Sequence, residues 1–158
     1  MPHRPTLNRD DAERYLEEIV APTIADFKAN PTSLRHAFLA AVATYHALDY
    51  MYLEKGDKGN KRKEFRDTSP AFGLIDRVAH AYKHVKAGNE NDPNNRPLKV
   101  GSVIRRPKAS IEEFQIGISR IGDSIGGVTL GEYPAVDLLQ ALNDAVQFLV
   151  SNLETEPK

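Results

Sequence analysis

The sequence predicts a mainly α fold: a four-helix bundle with a small antiparallel β insertion between helices three and four, α+β only at the margin. Three observations carry that expectation. From Leu34 to Tyr52 apolar side chains recur at alternating spacings of 3 and 4 residues. From Ala135 to Leu153 the same rhythm returns at 4 and 3, the spacing of a bundle seam. Between Leu98 and Glu132 the period shortens toward two, the alternation of a half-buried strand.

A first helix is expected from Asn8 to Lys28, with Ala12, Leu16, Ile19, Val20 and Phe27 on one face. Pro22 lies inside it and lacks a backbone donor, so a kink or a break at Ala21 is expected. Asn30 is suited to cap the second helix with Pro31 at its first position, and Leu34, Ala37, Phe38, Ala41, Tyr45, Leu48 and Tyr52 form its apolar face. Glu54 to Asp67 is polar, holds two glycines and shows no apolar period, which predicts an exposed loop. The third helix is expected from Ser69-Pro70 to Ala87, with Ile75, Val78, Ala79, Tyr82 and Val85 as its stripe and Gly88 as its stop. Residues 89–97 are turn chemistry throughout. Two or three short strands follow: one over Val100, Val103 and Ile104 that ends at Pro107, an alternation through Phe114, Ile116 and Ile118, and a returning strand over Val128–Leu130. The last helix is expected to open at Tyr133-Pro134, and Glu154 to Lys158 to fray. The expected core is Leu16, Ile19, Phe27, Leu34, Phe38, Ala41, Tyr45, Leu48, Ile75, Val78, Tyr82, Leu139, Leu142, Val146 and Leu149.

The 158 residues suit one domain spanning 1–158. Cysteine is absent, which removes disulfides, thiolate metal sites and cysteine nucleophiles and fits a reducing compartment. The start shows no secretory pattern and no apolar run is long enough to span a bilayer, so a cytoplasmic protein without membrane contact is expected. With 21 basic and 22 acidic residues the formal net charge is −1, so attraction to nucleic acid has to be local. Lys61, Arg62, Lys63 and Arg66, and separately Lys99, Arg105, Arg106 and Lys108, could touch phosphates, although acidic neighbours make a solvated loop the plainer reading of the first set. Residues 122–127 (GDSIGG) lack the lysine of a phosphate loop and read as a hairpin turn.

Polar residues of useful type concentrate on the third helix in the run DRVAHAYKH, residues 76–84. Asp76, His80 and His84 repeat every four residues, while Arg77 and His84 lie seven apart on one face, about 10 Å along the axis. Arg77 and His84 are the candidate catalytic residues: a guanidinium that can hold a phosphate and an imidazole that exchanges protons near neutral pH. Arginine, six residues and histidine on a bundle helix resembles the R-x(4–6)-H motif of the HEPN superfamily. The resemblance implies a metal-independent ribonuclease of the defence or toxin type, with its site where two subunits' helices meet. The same two residues also read as a solvated face whose charge suits a helix C-terminus.

His46, Asp49, Asp76 and His80 are the candidate ligand-binding residues, in a polar pocket between helices two and three. His46, His80 and His84 could alternatively chelate an ion, a set that vaguely resembles the three-histidine site of DinB-like bundles; His46 bonded to Asp49 or a tyrosine would instead be ordinary packing. We read the chain as a non-catalytic, partner-binding or regulatory bundle, with the ribonuclease and the ligand-binding bundle as alternatives. No cofactor and no resident metal are expected. A homodimer is, with RNA or a partner protein as its macromolecular contact.

Overall fold

The computed structural model describes residues 9–52, 58–113, 115–131 and 133–155, and is mainly helical with small antiparallel sheets. Pro22 shapes its beginning: α1 (Arg9–Tyr15) passes through a π-turn at Leu16–Val20 into α2 (Ala21–Ala29). A proline ring crowds the carbonyl four residues back, and a widened turn relieves that; here the Ala21 N–H reaches the Leu16 carbonyl instead. The expected break is thus absorbed inside a continuous helical path. Asn30 closes α2, its N–H donating to the Asp26 and Phe27 carbonyls, and does not cap the next helix. That helix, α3 (Leu34–Tyr52), begins after Ser33, whose hydroxyl accepts from the His36 N–H at 3.3 Å.

Small side chains make α3 the central helix. Ala37, Ala40, Ala41 and Ala47 are buried beside Phe38 and Leu48, so α2, α5 and α6 can all approach it closely. The polar stretch expected as a loop contains a helix, α4 (Lys58–Thr68), while residues 53–57 lie outside the described residues. Ion pairs Lys61–Glu64 and Lys63–Asp67 run along its outer side. Phe65 is buried edge-on against Phe72 and Phe148, with ring centroids 5.5 and 4.9 Å away. One buried ring and several pairs at helical spacing are enough to dock a helix that has no apolar period.

Ser69 starts α5 (Pro70–His84) by accepting the Phe72 N–H, with Pro70 at the first helical position. The helix stops three residues short of the expected Ala87. Val85 takes a positive φ of 68°, and the chain then leaves as β1 (Lys86–Ala87), which pairs antiparallel with β2 (Leu98–Lys99). Gly88 therefore serves the turn after β1: its φ is +95°, and a Cβ there would lie 2.4 Å from the Arg96 carbonyl oxygen. Ile75, Val78 and Ala79 are buried as expected, whereas Ile19, Leu34 and Tyr82 are exposed, Tyr82 by 53%.

The β insertion is a meander of β3 (Val103–Arg106), β4 (Gly127–Leu130) and β5 (Tyr133–Asp137), with Val103 opposite Leu130, Arg106 opposite Gly127 and an irregularity at Thr129/Leu130. Two of these strands were legible in the sequence; β5 occupies residues expected to open the last helix. The alternation through Ile116 and Ile118 is not a strand. Ile116 is 93% exposed in a turn where the Gln115 N–H bonds the Ser119 hydroxyl, and Phe114 lies outside the described residues. Alternation alone makes no strand where no edge is offered for pairing. The last helix, α6 (Leu138–Thr155), opens where the Asp137 carboxylate accepts the Gln140 N–H at 3.1 Å, and it buries Leu142, Ala145, Leu149 and Leu153 against α5 and α3. Leu139 and Val146 are only partly covered, and residues 156–158 of the expected tail lie outside the described residues. Among the described residues no helix is long and apolar enough to cross a membrane.

Candidate functional site

Asp76 sits on the buried side of α5 with its side chain 0% exposed, so its charge has to be met from neighbouring elements. α4 supplies the answer through an arginine repeat at i and i+4. Arg62 grips Asp76 with Nε–Oδ1 at 2.9 Å and Nη2–Oδ2 at 3.2 Å, and Arg66 Nη1 reaches Oδ2 at 3.3 Å. His80, one turn on, places Nδ1 3.1 Å from Oδ1 and 2.8 Å from the Asp76 carbonyl. Burial pushes the carboxyl up, but hydrogen bonds from His80 and Arg62 and their charges outweigh it and hold Asp76 below the usual carboxylate range. An Nδ1–H donated to Asp76 leaves Nε2 as the ring's remaining nitrogen.

His80 borders a groove of about 290 Å³ between α3, the start of α4 and α5. Tyr45 forms its wall: its ring meets His80 edge-on at 4.6 Å, His46 at 5.5 Å, and carries the Arg62 guanidinium 5.6 Å and the Lys58 ammonium 6.0 Å from its centroid. Lys83 and Tyr82 close the α5 side. His46 Nδ1 bonds Asp49 at 2.8 Å, and Lys58 pairs with the same carboxylate. Burial lowers the Lys58 ammonium, and Arg62 and Lys83 add to it; burial likewise lowers His46, followed by Lys58, Lys83 and His80. The groove disfavours further positive charge.

Of the predicted ligand-binding residues, His46 and His80 line this groove, Asp49 braces His46 from behind and Asp76 fixes His80 from below. Tyr45, Lys58 and Lys83 join them in the lining, with Arg62 against the Tyr45 ring. The apolar period places Tyr45 in the core, which it also serves, while a polar composition without an apolar period conceals the two α4 residues. His84 stacks beside His80 with centroids 6.3 Å apart, yet the described His, Asp and Glu residues include no group of three placed to hold a metal ion.

The candidate catalytic pair is not brought together within one chain. Arg77 Nε donates to the Gly73 carbonyl at 3.3 Å and Nη1 to the Arg96 carbonyl at 3.2 Å, so the guanidinium turns toward the start of α5 and away from His84. It borders a different and larger cleft, about 710 Å³, between α5, the turn at Pro93–Asn95, the end of the sheet and α6.

Arg106, expected among residues open to phosphate, is buried. Its Nε and Nη1 hold Asp123 and Asp137, each at 2.9 Å, and Asp123 also accepts the Ile125 and Gly126 N–H groups at 3.0 and 2.9 Å. It clamps the ends of the β3–β4 loop. Residues 122–126 form the returning end of that loop, and Gly127 already belongs to β4, so no tight hairpin turn joins β3 and β4. In comparison with known proteins, no family model matches this chain, and neither a curated protein nor a solved structure does.

Proposed function

We propose that the chain is a non-catalytic binding protein whose groove beside Tyr45 takes a small anion, a sulfate- or phosphate-bearing group being the fitting class. In this reading α2, α3, α5 and α6 act as a four-helix bundle that serves as scaffold, and α4 brings the charge. The observation that carries it is the convergence of Lys58, Lys83, His46 and His80 on one aromatic-walled groove where the nearest carboxylates, Asp49 and Asp76, are already engaged. An anion would relieve the crowding that lowers Lys58 and His46.

Titration of the protein with inorganic sulfate, whose charge is constant from pH 5 to 8, followed by amide chemical shifts, tests this. Resonances of Tyr45, His46, Lys58 and Lys83 should move together, and Lys58→Ala should weaken the effect about tenfold, the equivalent of 1.4 kcal/mol. Because burial depresses His46, it gains its proton only below the ordinary histidine range, and affinity should rise as pH falls there. Millimolar sulfate that leaves these resonances unmoved at both ends of the range would sink the proposal.

A second reading, the HEPN-like ribonuclease, is favoured by one feature: beside His84 the end of α5 exposes Tyr82 and Val85, an apolar surface that a second subunit would cover. In a homodimer formed there, the partner's arginine could complete the pair. An added arm of the same experiment separates the two. RNA cleavage that survives EDTA and disappears in His84→Ala would support the ribonuclease.

A further inference from the structure

The larger cleft, on the face of α5 about opposite the Tyr45 groove, has no part in the reading above. Its floor is apolar, made by Leu74 of α5, Leu130 and Val136 of the sheet, and Leu139 and Ala141 of α6. Its rim carries guanidinium groups from separate segments: Arg77 on α5, Arg96 after the Pro93–Asn95 turn, and Arg120 in the β3–β4 loop. The carboxylates along the wall are engaged within the protein, Asp137 with Arg106 and the Gln140 N–H, and Asp144 with the Gln140 side-chain amide at 2.8 Å.

The cleft is held open by its own construction. Arg77 ties the Pro93–Asn95 turn to α5 by donating to the Arg96 carbonyl at 3.2 Å. The two walls are thus fixed at a set separation, with the first turns of α6 between them. About 710 Å³ falls in the range of clefts that enclose a small organic molecule and far exceeds what a lone phosphate fills.

We infer that this cleft is a second binding site, for an organic anion with a flat apolar body: the body lies on Leu74, Val136 and Leu139, and the acidic group faces the arginine rim. Arg96 suits that role best, because the planar donors of a guanidinium meet a carboxylate, sulfonate or phosphate in parallel hydrogen bonds while Arg77 is engaged with the Gly73 and Arg96 carbonyls. Inorganic sulfate, the probe for the other groove, lacks the apolar body and should not compete here.

The probe for the test is 8-anilinonaphthalene-1-sulfonate, whose fluorescence reports transfer of an aromatic anion from water to an apolar site, compared with the uncharged N-phenyl-1-naphthylamine. Wild-type protein should bind the sulfonate saturably at one site per chain. Arg96→Gln, which touches only the rim, should weaken the sulfonate at least fivefold and leave the uncharged analogue unchanged. Ala71→Phe, which fills the floor beside Leu74, should abolish both, and Lys58→Ala should affect neither. Each variant is first shown to melt cooperatively at the wild-type temperature, because the dye also binds loosened proteins. Non-saturable binding, equal affinity for the uncharged analogue, or indifference to both cleft variants would overturn the inference.

Discussion

Asp76 holds three side chains at once: Arg62, Arg66 and His80. Removing its charge would leave Arg62 beside His80 without its carboxylate, and Arg66 with Asp92 alone, 3.9 Å away. Breaking a buried pair from one side costs about 3 kcal/mol, so urea unfolding at pH 7 should find Asp76→Asn destabilised by about that amount. The folded carboxyl lies below its ordinary value, so its contribution is present above about pH 4 and fades as pH falls through the folded value. The gap between variant and wild type should therefore narrow on acidification below pH 4, and a gap that stays constant would mean that Asp76 acts only through shape. At this scale the sequence was informative where helical spacing alone decides: Asp76 beneath His80, and His46 beside Asp49, follow from separations of four and three. The partners from α4 could be found only by noticing that Arg62 and Arg66 also stand four apart.

Among the elements, α5 ends in an unusual way. Val85, 68% exposed, holds a positive φ while its carbonyl accepts the Val100 N–H at 2.8 Å. A sparsely populated positive-φ backbone costs a β-branched residue about 1–3 kcal/mol, more than the ~0.5–1 kcal/mol of extra chain entropy that a glycine loses on folding. Val85→Gly should accordingly raise stability by up to about 1 kcal/mol, read as a higher urea midpoint at unchanged slope. A lower midpoint would show that the valine side chain packs after all. The stop at Gly88 was expected because glycine usually marks helix ends. Competition from β1 pairing with β2, which a local reading does not see, ends the helix earlier. Tertiary contacts also account for the other elements that sequence pattern missed. Phe65 brings α4 against α5 and α6 from a composition that reads as loop, and pairing with β4 draws Tyr133–Asp137 out of the last helix. By contrast α3 and most of α6 were legible because each buries a periodic face.

Across the whole molecule, the helices and the sheet enclose the core while the described residues of the 107–126 loop stand outside it, presenting Ile111, Ile116, Ile121 and Ile125 to solvent. Arg106 closes this loop at its base through Asp123 and Asp137, and the Ala109 N–H meets the Asp123 carbonyl at 2.6 Å. The core therefore feels the base of the loop and not its length. Doubling a flexible loop costs only about 0.6 kcal/mol in closure entropy, which at this chain size moves the melting temperature by roughly 2 °C. Some twenty glycine and serine residues placed after Gly117, around which a Cβ would meet nothing within 4 Å, should therefore melt close to wild type. A fall of 10 °C would show that the tip supports the fold. Seen this way, the Arg106 clasp makes the segment a socket: new sequence, a reporter or a whole guest module can be grafted at the tip without reaching the core.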